Sequence, residues 1–307
     1  MRSFSWLFIL TLLFGCNTEE KESTTKGTLR IFIPESLAPV MLDEVHEFLG
    51  LYEANGAHIT DTIVPAEYAV HMFVRDSARI VFLPRPLTQT EQDQAKTISS
   101  EMNELVVAYD AIVAAVHPKN AITELTTTDL QRLLSGTVTR WEELSKRMKG
   151  AIKIYCHDSS DVTEYLSRRL LNHAVISARM IRTNSDLQTL QLVEREPSAI
   201  GFVALGWLDS AKTSAKILDL GRTKEDADTT FVTPVEASGK FFSPHPANLF
   251  RNYYPLKRAI SMYTRGRVNL AVGFGAYVAT AEGQKIFLRY GLLPGTQHIR
   301  LRPGQPS

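Results

Sequence analysis

One long apolar segment constrains the fold more than any other feature of the chain. Residues 104–117, ELVVAYDAIVAAVH, have the character of a single β-strand with a carboxylate, Asp110, in the middle. Strands in globular proteins usually contain about 3–10 residues, so this one exceeds the common length. A segment that runs from one domain into the next would explain the excess and would place Asp110 near the crossing.

Strand-like and helix-like patterns alternate on both sides of this segment. Leu29, Ile31 and Ile33 alternate as a strand, and apolar residues then recur at helical spacing from Leu37, with Ser36 as the candidate N-cap. Such alternation predicts an α/β fold with parallel sheets covered on both faces, and 307 residues suffice for two domains.

The composition excludes several functional classes. Lys plus Arg is 34 and Asp plus Glu is 33, which gives a net charge of +1 without the basic excess of a nucleic-acid-binding protein. The eight histidines are scattered and none has metal-site spacing, so we expect neither a metal nor another cofactor. No nucleophile and base stand at a useful spacing, so we expect no enzymatic activity.

The first residues predict export. Arg2 precedes an apolar run, residues 4–14, that is too short to span a bilayer comfortably, and the run ends in Leu13-Phe14-Gly15-Cys16. This ending resembles a bacterial lipobox, although a signal with a chance cysteine is the alternative. We therefore expect a signal peptide over residues 1–16, lipidation of Cys16 and a flexible tether over residues 17–27. Cys156 would then have no intrachain disulfide partner, and its place in an apolar strand favours a buried thiol.

Two strand-to-helix turns carry residues suited to holding an anion. One contains Ser36 and Leu37, and the other follows the short strand at residue 152 and contains Ser159, Ser160, Asp161 and Thr163. The free N–H groups of a first helical turn and the helix dipole attract negative charge, but an ordinary capped helix has the same pattern.

Two further residues are candidates by position. Arg85 follows an apolar strand, at the edge where α/β sheets bind ligands, although a surface arginine on a loop would look the same. Gly201 lies inside a buried strand, where it indicates close approach by a ligand or simply tight packing.

Several motifs resemble the substrate-binding proteins of phosphate ABC transporters (the PstS-like family) over residues 28–300. They are Val116-His117-Pro118-Lys119-Asn120, Leu134-Ser135-Gly136 with Trp141, Ala199-Ile200-Gly201-Phe202, Tyr254-Pro255-Leu256-Lys257-Arg258, and Glu282-Gly283-Gln284 followed by Gly291-Leu292-Leu293-Pro294. The resemblance implies a periplasmic-binding-protein-like fold of type II, with two α/β lobes joined by a hinge and a ligand cleft between them. We expect residues 28–108 plus 255–307 to form lobe 1 and residues 109–254 to form lobe 2.

The resemblance also implies a ligand set, carried over by position. It comprises Ser36, Leu37, Arg85, Ser159, Ser160, Asp161, Thr163 and Gly201. The sequence departs from the family at the first turn, where Pro34-Glu35-Ser36-Leu37 replaces a Gly-Ser-Ser-Thr pattern, and at His157, which stands where the family has an arginine. The chain is thus similar to a divergent lipoprotein branch of the family.

The resulting hypothesis is a monomeric receptor, lipid-anchored in the periplasm or at the cell surface, that captures inorganic phosphate for an ABC permease. Ser36, Ser160 and Thr163 would donate hydrogen bonds to HPO4, Arg85 would supply a bidentate contact, and Asp161 would accept the ligand's proton and so reject sulfate. The alternative is a surface lipoprotein receptor or adaptor of the same fold for another anion or an organic phosphate.

Overall fold

The computed structural model describes residues 22–98, 101–158, 160–177, 179–223, 226 and 230–297. These ranges contain thirteen strands and ten α-helices. Across the described ranges, no helix combines the length and the apolar character needed to cross a bilayer. The predicted signal peptide with Cys16, and the candidate ligand residue Ser159, lie outside the described residues.

The strands follow one another along the chain with helices between most of them. In chain order they are β1 (Gly27–Pro34), β2 (Ala57–Val64), β3 (Ile80–Leu83), β4 (Met102–Val116), β5 (Glu124–Thr126), β6 (Lys153–His157), β7 (Met180–Thr183), β8 (Ala199–Ala204), β9 (Lys216–Ile217), β10 (Asp219–Gly221), β11 (Phe241–Phe242), β12 (Lys257–Arg265) and β13 (Leu293–Pro294). The helices are α1 (Ala38–Tyr52), α2 (Ala66–Val74), α3 (Gln89–Ile98), α4 (Thr127–Leu134), α5 (Asp161–Leu171), α6 (Asp186–Arg195), α7 (Trp207–Ala211), α8 (Pro246–Phe250), α9 (Leu270–Val278) and α10 (Ala281–Arg289).

The predicted long strand is β4, and it connects two groups of strands. Its first part pairs antiparallel with β12 from Met102 to Ala111, and its last part pairs antiparallel with β8 from Ile112 to Val116. Every residue from Ala111 to Val116 is buried, because both faces of the strand are covered. Strand order β3-β12-β4-β8-β6-β7 therefore runs through both lobes, and the predicted two-lobed α/β fold is confirmed.

The first lobe is built on β1, β2, β3 and the paired parts of β12 and β4. The alternating residues Leu29, Ile31 and Ile33 are almost wholly buried, as their spacing predicts. Helices α1 and α9 cover them, and the rings of Phe48 and Phe274 meet edge to face with centroids 5.3 Å apart. Packing of this kind fixes the turn after β1, where Ser36 lies.

The second lobe contains a parallel group, β7-β6-β8, with α5 and α6 following β6 and β7 in the chain. Parallel strands end at one edge, so the residues after β6 and β7 emerge side by side. His157 ends β6 and Asp186 opens α6 at this edge, which faces the turn after β1.

One sequence expectation differs from the structure, and two short strands have no clear signal in the sequence. Residues 22–27 of the predicted tether are not free, because Glu22 binds the Arg79 guanidinium at 2.7 Å and β1 already begins at Gly27. Residues 177–182 show little periodicity, yet they include most of β7, because pairing with β6 supplies the order. The polar, proline-containing stretch of residues 223–245 has no clear periodicity, yet it contains the short strand β11.

Candidate functional site

The turn after β1 presents a buried hydroxyl to the opposite lobe. β1 ends at Pro34, a single 3-10 turn spans Glu35–Leu37, and α1 follows at once. Leu37 points into the core and is 1% exposed. Ser36 is 2% exposed, and its Oγ donates a hydrogen bond of 2.6 Å to Oδ2 of Asp161, on α5 of the second lobe. The turn therefore places Ser36, but not the Leu37 side chain, against the other lobe.

The N-terminus of α5 uses its predicted donors locally. Ser160 is the N-cap and forms a capping box with Thr163. The Ser160 Oγ and the Thr163 Oγ1 both donate to the carbonyl of His157, at 2.9 and 2.7 Å. The sequence hypothesis has these hydroxyls donating to an anion, whereas in this structure both have a backbone acceptor.

Asp161 is the centre of a buried chain of polar groups between the lobes. Besides Ser36, its carboxylate accepts a hydrogen bond of 2.6 Å from Nη1 of Arg258 on β12. The same guanidinium donates through Nε, at 2.9 Å, to Oδ2 of Asp110 at the middle of β4. Asp110, Asp161 and Arg258 have side chains at most 6% exposed. A charged guanidinium thus bridges two buried carboxylates near the middle of β4, the strand that runs from one lobe into the other.

Burial and mutual charge shift the pKa values of Asp110 and Arg258. Desolvation raises the pKa of Asp110 above its usual value, and the Arg258 charge opposes that shift. The two carboxylates in turn hold the pKa of Arg258 above its ordinary range, against desolvation. Arg258 therefore remains a cation, and it donates to the same Asp161 oxygen, Oδ2, as Ser36 does.

A second contact between the lobes lies one residue away from Ser36. The Glu35 carboxylate lies 3.2 Å from Nδ1 of His157 and accepts the N–H of Asp186 at 3.0 Å. The indole Nε1 of Trp207 donates to the Glu35 carbonyl at 3.1 Å. Desolvation raises the pKa of Asp186 well above its usual value, and the nearby negative charge of Glu35 adds to the effect. These contacts hold the turn after β1 against the edge of the second lobe.

Arg85 does not join this group. Its guanidinium makes two hydrogen bonds to the Glu91 carboxylate, at 2.8 and 2.9 Å, and its side chain is only 12% exposed. A bidentate pair of this kind satisfies most of the donor capacity that the sequence hypothesis assigned to a ligand. Arg258, rather than Arg85, occupies the position of the charged contact beside Asp161.

Gly201 meets a helix rather than the cleft. A Cβ built on it would lie 2.7 Å from Cγ2 of Val193 and 2.8 Å from Cγ2 of Thr189, both on α6. The absence of a side chain therefore lets α6 pack closely on β8, which is the packing alternative. Cys156 is buried as expected, and desolvation raises the pKa of its thiol.

Arg258 also lines a large basic cavity of about 600 Å³ between the lobes. Its cationic lining residues are Arg85, Arg168, Arg169, Lys257 and Arg258, and Asp226 is a carboxylate among them. The Lys257 ammonium lies over the rings of Tyr109 and Phe231, 4.1 and 4.5 Å from their centroids, and burial lowers its pKa to about 8. Cations outnumber carboxylates in this lining, which favours anions, but Arg85, Arg168 and Arg169 are already paired with Glu91, Glu164 and Asp226.

A second cavity, which Asp161 lines, is acidic rather than basic. A cavity of about 390 Å³ lies beside the first turns of α2 and α5. Its charged lining residues are Glu67, Asp158, Asp161, Glu164 and Arg182. Carboxylates thus outnumber cations here. Arg258 lines the basic cavity, and its hydrogen-bond partner Asp161 lines the acidic one. Arg258 belongs to the motif Tyr254-Pro255-Leu256-Lys257-Arg258, but the motif alone does not show that β12 pairs with β4 so that Arg258 lies opposite Asp110.

Comparisons with known proteins agree with this architecture. The family model described as "PBP superfamily domain" matches residues 18–282. The chain is 20% identical over 300 residues to the phosphate-binding protein PstS of Borreliella burgdorferi, a match that covers 94% of this chain and 96% of that protein. It is 22% identical over 186 residues to the protein SphX of Synechococcus elongatus, which covers 58% of this chain and about half, 51%, of SphX. The crystal structure of an ABC-type phosphate transport receptor from Vibrio cholerae superposes with a TM-score of 0.64 at 18% identity, over 87% of this chain and 100% of that one.

Proposed function

Because this chain belongs to the PBP superfamily of substrate-binding receptors, we propose that it captures inorganic phosphate between its lobes for an ABC-type uptake system. The two-lobed fold supports this proposal, as does the similarity to a phosphate-binding protein and to an ABC-type phosphate transport receptor. Hinge motion about β4 and the segment that leads into β12 would open the cleft, because the chain passes from the first lobe to the second along β4 and returns just before β12.

The observation that carries the proposal is the binding of the Asp161 carboxylate by Ser36 and Arg258. One hydroxyl and one guanidinium, both buried, already hold an oxyanion group between the lobes at 2.6 Å. An entering HPO4 would take the same two donors, and charge-assisted contacts to a guanidinium are among the strongest for a phosphate oxygen. Asp161 would then accept the proton that HPO4 carries. In this proposal Arg258 replaces Arg85 as the charged contact.

The test is isothermal titration of phosphate into the Cys16→Ser chain, which cannot be acylated. We expect saturable one-to-one binding, and we expect Ser36→Ala to weaken it about tenfold because the hydroxyl donor is lost. Ser135→Ala, which removes an exposed hydroxyl of the second lobe, is the matched control. No binding of phosphate at millimolar concentration would overturn the proposal.

Several further properties belong to the same proposal. Residues 28–108 plus 255–307 would form lobe 1 and residues 109–254 lobe 2, with Cys16 lipidated at an extracytoplasmic membrane surface. The receptor would act as a monomer with a permease as its partner and would not be an enzyme. Labelling of the expressed chain with a fatty-acid analogue, with Cys16→Ser as the control, tests the anchor; equal labelling of both would contradict it.

The basic cavity favours a second candidate ligand, an organic phosphate monoester. Its volume of about 600 Å³ exceeds what inorganic phosphate requires, and cations predominate in its lining. Titration with glycerol 3-phosphate discriminates the two candidates. Tighter binding of the ester than of phosphate, with a selective loss in Arg168→Gln, would favour the organic ligand; weaker binding of the ester would favour inorganic phosphate.

A further inference from the structure

Three potential metal ligands from three separate elements converge beside the phosphate site. Glu35 follows β1 in the first lobe, whereas His157 ends β6 and Asp186 begins α6 in the second. One carboxylate oxygen of each acid and one ring nitrogen of the histidine all lie within 4.8 Å of one another. Their sequence separations give no metal motif, so only the fold brings them together.

The Asp186 carboxylate supplies an independent observation. Its side chain is wholly buried, and Oδ2 accepts the N–H of Ala204 at 2.8 Å. Oδ1 is buried as well and has no hydrogen-bond partner among the described residues. An unpaired buried carboxylate oxygen is costly, since burial removes its hydration without replacement. Asp186 belongs to a cluster whose other carboxylate is that of Glu35.

We propose that Glu35, His157 and Asp186 bind one divalent transition-metal cation between the lobes. One imidazole nitrogen and two carboxylate oxygens form a donor set that suits Zn²⁺ or Mn²⁺. Metal–ligand distances of about 2.0–2.2 Å require the three donor atoms to lie somewhat closer together than they do here. Small side-chain rotations suffice, because Glu35 and His157 are only partly buried.

A bound cation would do two things that protonation of one carboxylate does less well. It would pair the unpartnered Oδ1 of Asp186 and offset the repulsion between the two carboxylates. It would also connect the lobes, since Glu35 belongs to the first and the other two ligands to the second. The site would therefore stabilise the closed arrangement in which Ser36 meets Asp161.

The experiment is isothermal titration of ZnCl2 and, separately, MnCl2 into the Cys16→Ser chain in phosphate-free buffer. We expect one saturable site for at least one of the two ions. Asp186→Asn and Glu35→Gln should each weaken it about tenfold or more, a loss typical of an altered metal site. Asn at position 186 can still accept the Ala204 N–H, so this variant keeps the local hydrogen bond. Asp209→Asn and Glu47→Gln are matched controls on exposed carboxylates and should bind as the parent does.

Thermal unfolding with and without the bound ion provides a second readout. The ion should raise the Tm of the parent and of both controls, because an ion that binds the native state stabilises it. The ion should not raise the Tm of Asp186→Asn, because this variant lacks one of the proposed ligands. Absence of saturable binding by either ion, or equal affinity in the parent and Asp186→Asn, would overturn the inference. Because phosphate is absent from these titrations, that failure would leave the phosphate proposal untouched.

Discussion

Replacement of Arg258 by methionine tests whether the buried chain from Ser36 to Asp110 holds the lobes together. The Arg258 side chain is 2% exposed, and those of Asp110 and Asp161 are 1% and 6% exposed. Removing the guanidinium leaves two buried carboxylates without their cation. Breaking a buried ion pair in this way usually costs about 3–5 kcal/mol, so we expect the free energy of unfolding at pH 7 to fall by about that amount.

Urea denaturation of the parent and Arg258→Met, followed by tryptophan fluorescence, measures this loss. Arg267→Met is the control, because that arginine pairs with Glu101 but has a side chain that is 82% exposed. An exposed pair contributes about 0–1 kcal/mol, so the control should unfold almost as the parent does. Equal, small decreases in the free energy of unfolding in both variants would show that the Arg258 pairs contribute no more than an exposed pair.

The pH dependence of the Arg258→Met loss follows from the sign of the Asp110 shift. Burial raises the folded-state pKa of Asp110 above its unfolded value, and loss of Arg258 removes the group that opposes this shift. A group with a raised folded-state pKa favours the folded state at low pH, and this contribution is lost as pH rises through that pKa. The destabilisation by Arg258→Met should therefore be smaller at pH 5 than at pH 8.

Three other predictions concern single positions. Glu44 is fully buried, and desolvation raises its pKa to about 9. Its contribution to stability is fully present below the unfolded-state pKa of 4.5 and is lost as pH rises toward 9. Glu44→Met should thus stabilise the fold by about 3 kcal/mol at pH 7 and flatten the pH profile of urea unfolding; an unchanged profile would contradict the assignment. Gly201→Ala should lower the free energy of unfolding by about 1–3 kcal/mol, because the new Cβ would meet α6. Gly50→Ala should raise it by about 0.5–1 kcal/mol, because position 50 of α1 has open space around it. The reverse order would show that Gly201 has no packing role. Arg85→Gln should change phosphate affinity by less than about threefold, since Glu91 already holds the guanidinium, and a tenfold loss by titration would restore Arg85 to the site.

Local patterns predict the elements of this fold well where a feature depends on neighbouring residues. The length and apolar character of residues 104–117 predict β4, and the polar turn before Val162 predicts the capped start of α5. Pairing partners act at a longer range. β7 has little periodicity of its own and becomes a strand because β6 lies beside it.

The candidate site shows the same limit more clearly. Ser36 and Asp161 are predicted from the turns that carry them, and the structure brings them together across 125 positions of sequence. Arg258 is not among the residues predicted from the sequence, because its contacts with Asp110 and Asp161 depend on β12 pairing with β4 opposite Asp110, a register that no local pattern encodes. Ser160 and Thr163 are chosen for their hydroxyls, but the same chemistry that attracts an anion also caps a helix, and capping uses those hydroxyls here.

If a protonated oxyanion binds between Ser36, Arg258 and Asp161, titrations with phosphate and with sulfate will give different affinities. The parent should bind phosphate at least about tenfold more tightly than sulfate at pH 7, because fully ionised sulfate has no proton for the Asp161 carboxylate. Asp161→Asn should remove most of this preference, since an amide can donate to either anion. Equal affinities for the two anions in the parent, or an unchanged preference in Asp161→Asn, would show that Asp161 does not accept the ligand's proton.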